Sequence, residues 1–304
     1  MKFTKKDNLI IIGAGKISYS LCPALSEAGY NIKSIISSKI IRAQEFALKL
    51  NIKDYSDNFE GVKIKRGIFI LGVPDSQIKI TAERLSKLNI DFSKSLFIHL
   101  SGSQDISLLK SLALKKAHIA SFHIMQTFPS RRRRDIRNSF SAIETHSKAA
   151  SEYLFKLSND LKLNPFCIET RNKVIYHLAG VYASNFINAV LFQSQQLFNL
   201  LEIKKYTFSD IFTPLYSATI KNIKLSGPAK ALSGPIERGD VNTIKKHIFE
   251  IKRISDKQPD ILISYLSLSL LLVKASELKS GKLQGRHMEI IEILKKELKE
   301  IKSD

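Results

Sequence analysis

A loop with two glycines near the start of the chain has the residue types and spacing needed to hold a phosphate group. It runs Gly13-Ala14-Gly15-Lys16-Ile17-Ser18, between the apolar run Asn8–Ile12 and a helix-forming stretch, Ser18–Ala28. The first glycine permits a tight turn, and the second lets the backbone approach a pyrophosphate at the helix N-terminus. Ser18 replaces the third glycine of this fingerprint and is small enough for close packing of helix on strand. We therefore predict that the loop binds a dinucleotide; the alternative is a tight turn without a ligand.

The end of the second predicted strand indicates which nicotinamide dinucleotide the loop would take. NAD sites usually have a carboxylate there, which hydrogen-bonds the free ribose hydroxyl. This chain instead has the two hydroxyls of Ser37 and Ser38 and two cations, Lys39 and Arg42. These four groups favour a 2′-phosphate, so we predict NADP(H) over NAD(H). The alternative is a solvated helix N-terminus.

Two polar turns follow the next strands, and parallel strands bring such turns to the ligand-binding edge of a sheet. Val73-Pro74-Asp75 is predicted to border the cofactor, although the Asp75 side chain fits better as the N-cap of the following helix. His99-Leu100-Ser101-Gly102 brings a hydroxyl, Ser101, to the same edge. Ser101 would reach the nicotinamide or the substrate. The alternative is an ordinary glycine-containing turn without such a contact.

Three polar residues lie on a long apolar stretch, Val174–Leu201, that we predict to be one buried helix. Hydride transfer needs a proton donor beside the substrate and a group that orients it. His177 is our candidate donor and Asn185 our candidate orienting group, with Ser184 nearly above His177. His123, at the end of a predicted strand, is the rival donor. Either histidine could instead be a structural residue with its hydrogen bonds satisfied.

Arg238-Gly239-Asp240 lies between a Gly-Pro pair and another predicted helix, which begins near Val241. Asp240 is well placed to cap that helix. Arg238 could hold a substrate carboxylate through a bidentate pair. The alternative is that Arg238 pairs with a carboxylate of a helix.

The elements that would position these residues fall into two regions. Apolar strands alternate with amphipathic helices in the first 170 residues, which predicts a parallel, doubly wound α/β sheet over residues 1–171. The predicted strands are Asn8–Ile12, Ile32–Ser37, Gly67–Leu71, Ser95–Leu100, Ile119–Met125, Ser139–Glu144 and Phe166–Thr170. Residues 172–304 contain only helical patterns, so we predict an all-helical second domain for substrate binding and dimerisation.

Four segments of the chain resemble a known family of oxidoreductases. They are His99-Leu-Ser101-Gly102, Ser121-Phe-His123-Ile-Met-Gln126-Thr-Phe128, Tyr176-His177-Leu-Ala-Gly-Val-Tyr-Ala-Ser184-Asn185 and Leu232-Ser-Gly234-Pro235-Ile-Glu-Arg238-Gly239-Asp240. The family is the Rossmann-like proteins with a C-terminal helical domain of unknown function, related to pyrroline-5-carboxylate, ketopantoate and deazaflavin-dependent NADP reductases and to 6-phosphogluconate dehydrogenase.

This resemblance covers nearly the whole chain and departs from the family pattern at two positions. The family usually has proline where this chain has Ile124 and threonine where it has Ser233; neither change removes a polar group. The resemblance implies an NAD(P)-dependent reductase fold and a homodimer formed through the helical half. It does not imply a substrate.

Composition limits the remaining possibilities. The chain has 304 residues, 44% of them hydrophobic, and a formal charge of +20, which raises the possibility of a polyanionic partner. Most of the excess is scattered lysine; the four adjacent arginines Arg131–Arg134 form the densest cluster. No nucleic-acid motif accompanies them, so a solvated loop is favoured over RNA or DNA binding.

Cysteine content and hydropathy indicate the compartment. Cys22 and Cys167 fit small core residues and are too few for a metal site of their own, so no metal is expected. The start of the chain lacks the apolar core of a signal peptide. The apolar run at 261–273 is too short to cross a bilayer. We expect a soluble cytoplasmic protein without membrane contact.

The leading hypothesis is an NADPH-dependent reductase of a small, acidic carbonyl or imine compound. Its alternative is a dinucleotide-binding sensor or scaffold without catalysis. A nucleic-acid-binding protein is the third, less favoured class.

Overall fold

The sheet of this protein has eight strands in the order β3-β2-β1-β4-β5-β6-β7-β8. The computed structural model describes residues 2–59, 65–254 and 260–301. The strands are β1 Leu9–Ile12, β2 Ile32–Ile36, β3 Asp54–Ser56, β4 Ile68–Leu71, β5 Leu96–His99, β6 His118–Ile124, β7 Phe140–Glu144 and β8 Asn164–Cys167. Every neighbouring pair is parallel except β6 and β7.

Helices cover the sheet and make up the rest of the chain. Those before residue 170 are α1 Ser18–Glu27, α2 Ile40–Lys49, α3 Asp75–Leu85, α4 Lys110–Ala113 and α5 Lys148–Asp160. Those after it are α6 Lys173–Ala183, α7 Asn185–Asn199, α8 Phe208–Ser226, α9 Val241–Ile254, α10 Asp260–Ser280 and α11 Gly285–Ile301. The predicted fold class, a doubly wound sheet followed by helices, is confirmed.

Buried strands explain why the central sheet is predictable. Every residue of β1, β4 and β5 is buried, so each strand is a continuous apolar run apart from His99 at the end of β5. Apolar clusters lie on both faces, and on one of them Phe69 and Phe97 stack with ring centroids 4.6 Å apart. Burial on two sides is typical of parallel sheets with helices on each face.

Two features of the sheet differ from the prediction. β3 was not predicted because it is short, polar and only half-buried, so it has no periodic hydrophobic signal. β7 runs antiparallel to β6, with Ser121 opposite Glu144 and Ile124 opposite Ser141. No helix is formed between these two strands, and a parallel pair would need a crossover connection.

The chain forms two compact units, Met1–Ile187 and Asn188–Asp304. The first contains the sheet, α1–α6 and the start of α7. The second has its own apolar core, in which Ile244, Leu266 and Ile290 are completely buried. The predicted division at residue 171 into a nucleotide-binding domain and a substrate-binding, dimerising domain stays a prediction.

The predicted single helix Val174–Leu201 is wrong in two respects. Ser184 leaves helical geometry with φ −136° and ψ −65°, so the stretch divides into α6 and α7. No residue in the most apolar 18-residue window between Thr170 and Asn199 is fully buried, where we expected burial on several sides. The sequence shows that this stretch is apolar, but apolar composition alone does not determine whether other parts of the chain pack against it.

Two smaller expectations also need correction. Cys22 is buried, as predicted, and burial raises the pKa of its thiol, whereas Cys167 is exposed and is not a core residue. The run at 261–273 belongs to a helix of 21 residues, α10. By length and composition alone, two helical stretches among the described residues are long and apolar enough to cross a membrane, Thr170–Asn199 and Asp260–Ser280.

Candidate functional site

The glycine loop is shaped by its contact with the end of β4. Gly13 has φ +105°, and a Cβ atom at this position would lie 2.4 Å from the Gly72 carbonyl oxygen. A Cβ at Gly15 would lie 2.9 Å from the same oxygen. Both positions therefore exclude side chains, because the neighbouring atom belongs to the backbone and cannot turn away.

Ser18 stabilises this loop. Its side chain is buried, and Oγ donates a hydrogen bond of 2.7 Å to the Gly13 carbonyl oxygen. A Cβ atom on Gly72 would lie 2.8 Å from Ser18 Oγ. The departure from the glycine fingerprint thus closes the loop with one more hydrogen bond.

Two cavities open at the carboxyl edge of the sheet, and both belong to the first unit. We call the first the glycine-loop cavity; the predicted cofactor residues that line it are Gly13, Ala14, Gly15, Ser37, Ser38, Arg42, Val73 and Pro74. We call the second the histidine cavity; the predicted residues that line it are Gly15, Lys16, Ile17, Val73, Pro74, Asp75, Ser101, His123 and His177. Gly15, Val73 and Pro74 line both, so the two cavities adjoin.

Four predicted residues do not line either cavity. Ser18 is buried beneath the loop, and Lys39 precedes α2 as an exposed residue without a capping hydrogen bond from its side chain. Asn185 is exposed at the first position of α7. Arg238 is exposed in the second unit. The roles assigned to these four residues stay predictions.

Asp75 does not cap α3, so the favoured interpretation of its side chain is wrong. Pro74 occupies the N-cap position and Asp75 is the first helical residue. Asp75 Oδ2 accepts hydrogen bonds from Ser101 Oγ at 2.9 Å and from Ser103 Oγ at 3.0 Å. The carboxylate therefore fixes the turn that follows β5.

Ser101 is held by several partners. Besides donating to Asp75, its Oγ accepts from the backbone N–H groups of Ser103 at 3.3 Å and Gln104 at 3.1 Å. The side chain is almost fully buried, although the residue lines the histidine cavity. The Ser101 hydroxyl is a fixed part of this turn.

A buried ion pair, which the sequence analysis missed, lies behind the same turn. Lys173 Nζ is 3.3 Å from Glu144 Oε2, and the side chains are only 2% and 3% exposed. Nζ also donates to the Ser101 carbonyl oxygen at 3.3 Å and to Ser121 Oγ. Burial lowers the pKa of Lys173, and the Glu144 charge opposes that shift. One ammonium group thus joins the ends of β5 and β7, β6 and the start of α6.

Glu144 has further partners on its other oxygen. Oε1 accepts from Thr170 Oγ1 at 2.7 Å and from the Ile106 N–H at 3.4 Å. A lysine at the first position of an apolar helix gives no sequence signal of burial, because lysine is almost never fully buried unless it is paired. The partner is 29 residues away in sequence, and only the topology of the sheet brings it close.

His123 is a neutral group in the histidine cavity. Its Nδ1 is 2.9 Å from the Tyr176 hydroxyl oxygen, and the two rings meet edge to face at 5.6 Å between centroids. Burial lowers the pKa of His123 to about 4, with the Lys173 and His177 charges adding to the shift. Burial raises the pKa of Tyr176 to about 12. At neutral pH the imidazole is therefore uncharged and the phenol is protonated.

The cavity wall needs glycine at residue 102. A Cβ atom there would lie 2.7 Å from His123 Nε2, so the imidazole packs directly on the backbone of the turn. His177, one residue after Tyr176, is exposed and lines the same cavity. The structure thus brings together Ser101, His123 and His177.

His99 is a structural residue. It is completely buried, its Nδ1 accepts a hydrogen bond of 3.3 Å from the Ser101 N–H, and burial lowers its pKa to about 3.

In the second unit, Asp240 caps the start of α9 as predicted, since Oδ1 accepts from the Thr243 N–H at 3.1 Å. No group of three or more metal-binding side chains occurs among the residues that the structure describes.

The arginine run Arg131–Arg134 is an exposed loop, as predicted, but it is anchored. Arg133 forms a bidentate pair with Glu27 on α1, with both N–O distances at 2.6 Å. The Arg134 N–H donates to Ser20 Oγ at 2.9 Å. Arg131 lines the glycine-loop cavity. The run of four arginines does not indicate in the sequence which of them lies at a cavity.

Comparison with known proteins agrees with this architecture. Residues 139–271 match the family model of a domain of unknown function, DUF2520. A proposed NADP oxidoreductase from Bacteroides fragilis is similar in structure, with a TM-score of 0.75 at 23% identity over 89% of this chain and 99% of that one. No curated protein sequence matches the chain significantly.

Two reductases of known type share the fold. An imine reductase from a Pseudomonas species has a TM-score of 0.60 at 16% identity, covering 90% of this chain and 98% of its own. A pyrroline-5-carboxylate reductase from Coxiella burnetii has a TM-score of 0.54 at 16% identity, covering 94% and 98%. These matches confirm the resemblance found in the sequence: a Rossmann-type fold followed by a helical region, with the domain of unknown function running from β7 into α10.

The residues of the glycine-loop cavity fit a dinucleotide. Gly13 and Gly15 line this cavity just before α1, and their lack of Cβ atoms lets the loop pack directly against the Gly72 backbone. Backbone N–H groups at a helix N-terminus attract anions such as a pyrophosphate.

The contact between Gly15 and Gly72 can be tested by a single methyl group. We expect Gly15→Ala to lower the free energy of unfolding by about 1–3 kcal/mol, as overpacking generally does, and to weaken dinucleotide binding. Chemical denaturation and dinucleotide titration measure the two effects. Gly285→Ala is the matched control, because no atom lies within 4 Å of a Cβ there. A Gly15→Ala variant as stable as wild type would contradict the close approach.

The buried ion pair makes a second prediction. Lys173→Met leaves the Glu144 carboxylate without its cation, which should lower the free energy of unfolding by about 3–5 kcal/mol. Chemical denaturation measures this loss. We expect the double variant Lys173→Met/Glu144→Gln to regain most of it, because both charges are then absent.

An exposed ion pair supplies the control for that experiment. Lys156 lies 3.4 Å from Asp160 with 61% of its side chain exposed. Lys156→Met should therefore cost less than about 1 kcal/mol. If the Lys173→Met variant were no less stable than the Lys156→Met variant, the ion pair would not hold the turn.

Proposed function

We propose that this protein is a reductase that transfers hydride from NADPH to a small carbonyl or imine compound. The observation that carries the proposal is the adjacency of the two cavities, which share Gly15, Val73 and Pro74. One cavity has a glycine cradle suited to a pyrophosphate. The other contains His123 and His177, groups able to hold or donate a proton, beside the fixed hydroxyl of Ser101.

Each cavity has a separate part in this proposal. A nicotinamide dinucleotide bound along the glycine-loop cavity would supply the hydride. Ser37, Ser38 and Arg42 line the same cavity and favour a phosphate on the adenosine ribose. The similarity to imine and pyrroline-5-carboxylate reductases supports a C=N or C=O substrate in the histidine cavity.

The side chains of the histidine cavity divide the work of proton transfer and orientation. His177 is exposed to the cavity and is the proposed proton donor. His123, neutral and bonded to Tyr176, is the proposed orienting group beside Ser101. Asn185 and Arg238 stay candidates from the sequence alone for orienting the reacting group and holding a substrate carboxylate, because neither residue lines the histidine cavity.

The proton donor can be tested by substitution. We expect His177→Gln to lower kcat at least 100-fold, the lower range for loss of a general acid, without changing the dissociation constant for NADPH. Single-turnover oxidation of NADPH in the presence of a panel of oxo acids and cyclic imines measures the first effect. Titration of NADPH fluorescence measures the second.

His146→Gln is the matched control, because His146 is exposed in the same unit and does not line either cavity. A His177→Gln variant with the wild-type rate would move the donor role to His123. NADPH binding without turnover on any panel substrate would instead favour a dinucleotide sensor. Salt-sensitive binding of random nucleic acid without dinucleotide affinity would favour the third class.

We also propose a homodimer formed through exposed helical faces. α8 has no buried residue along its 19 residues, and Leu215 and Leu225 on it are 62% and 76% exposed. On α7, Phe192 is 62% exposed. Exposed apolar patches of this extent mark interaction surfaces, and a second copy of the chain is the proposed partner. The proposal places this dimer in the cytoplasm.

Oligomeric state tests this interface. We expect wild-type protein to sediment as a dimer and Leu215→Glu/Phe192→Glu to sediment as a monomer, because a carboxylate cannot be buried there without a partner. Leu114→Glu is the control, since Leu114 is 75% exposed in the first unit, far from either helix in sequence. A monomeric wild type that co-sediments with lipid vesicles would replace the dimer with a membrane-bound chain.

A further inference from the structure

The loop that contains Arg131–Arg134, which we call the arginine loop, brings a cation to the glycine-loop cavity. The sequence analysis assigned that cavity to other residues. Arg131 lies in the segment between β6 and β7 and lines the glycine-loop cavity with Ser37, Ser38 and Arg42. Ser37 and Ser38 directly follow β2, Arg42 lies on α2, and Arg131 approaches from a different part of the chain. The guanidinium groups of Arg42 and Arg131 therefore come from separate elements and border one cavity.

The segment that carries Arg131 is fixed in place. The bidentate pair of Arg133 with Glu27 and the hydrogen bond from the Arg134 N–H to Ser20 Oγ attach it to α1. Ile136, a few residues further on, is 2% exposed and joins the apolar core. These contacts lower the entropy that the loop would lose on binding a ligand.

The charges of the cavity favour an anion. Among the described residues, Arg42, Arg84 and Arg131 line it together with one carboxylate, Asp57. The Arg84 guanidinium lies 4.7 Å from the ring centroid of Phe59. Among the residues that the structure describes, neither Arg42 nor Arg131 forms an ion pair. Their planar donor groups are free to bind oxygen atoms in pairs, which is how arginine recognises phosphate.

We infer that Arg131 and Arg42 together bind the 2′-phosphate of NADP(H), so that Arg131 sets the choice between the two dinucleotides. This inference rests on the proposed function, because it concerns the same cofactor. The ligand chemistry is a phosphate monoester on the adenosine ribose. Ser37 and Ser38 supply hydroxyl groups for the same phosphate, while Lys39 lies outside the cavity.

The test compares two ligands that differ by this phosphate. Affinities of the full chain for NADPH and NADH are measured by titration calorimetry, for wild type and for Arg131→Gln. We expect Arg131→Gln to weaken NADPH binding by about 10- to 100-fold, the usual effect of one charge-assisted hydrogen-bond pair. NADH binding should change less than about twofold, because NADH lacks the phosphate.

Arg132→Gln is the matched control. Arg132 is the next residue and lines a different depression, near Tyr19 and Lys49, and not the glycine-loop cavity. Thermal unfolding checks that all variants fold. Adenosine 2′,5′-bisphosphate, 5′-AMP and inorganic phosphate then identify what Arg131 contacts; only the bisphosphate should lose affinity in the Arg131→Gln variant.

The outcomes separate this inference from the proposed function. If wild type prefers NADPH and Arg131→Gln leaves that preference unchanged, Arg131 has no such role and the reductase proposal stands. Equal loss of NADPH and NADH binding, or equal loss of phosphate and bisphosphate binding, also overturns the assignment. If wild type binds neither dinucleotide, both proposals fail.

Discussion

The approach of the glycine loop to Gly72 constrains the carboxyl edge of the sheet, where both cavities open. Two backbones meet where the Gly72 carbonyl oxygen leaves no space for a Cβ atom on Gly13 or Gly15. The contact sets the path of the chain from β1 into α1, and Ser18 fixes that path by bonding to the Gly13 carbonyl. Because β1 pairs with β4 along its whole length, the turns after both strands open into the same space. The adjoining cavities are a result of that pairing.

The antiparallel direction of β7 likewise determines which residues meet behind the histidine cavity. In an antiparallel pair the end of one strand lies beside the beginning or middle of the other. Glu144, the last residue of β7, therefore lies opposite Ser121 in the middle of β6. Ser121 in turn pairs with His99 at the end of β5. A parallel β7 would carry the carboxylate away from Lys173 and leave the ammonium group without a countercharge.

Sequence predicts the parts of this molecule that depend on local patterns. The apolar runs of β1, β4 and β5 and the glycine spacing at Gly13 and Gly15 are such patterns. The roles of Lys173, Glu144 and Arg131 depend on contacts between residues distant in sequence, so no local pattern reveals them. Asp75 shows the same limit, since its position after Pro74 resembles an N-cap while its actual partners, Ser101 and Ser103, follow another strand. The break at Ser184 is not marked by proline, and α6 continues through the nearby Gly180 to Ala183.

The glycine loop and the arginine loop come from different parts of the chain. The shape of the first cavity and its proposed choice of dinucleotide therefore depend on different segments. The first βαβ unit supplies the glycine cradle, and it cannot vary at Gly13 or Gly15 without a backbone collision. The loop between β6 and β7 lies outside that unit and is held by exposed contacts, the pair of Arg133 with Glu27 among them. Exposed positions of this loop, unlike the buried Ile136, can change without disturbing the sheet or the glycine loop. If Arg131 binds the cofactor as proposed, changes in this loop alone would alter the preferred dinucleotide, while the fold and the histidine cavity remain unchanged.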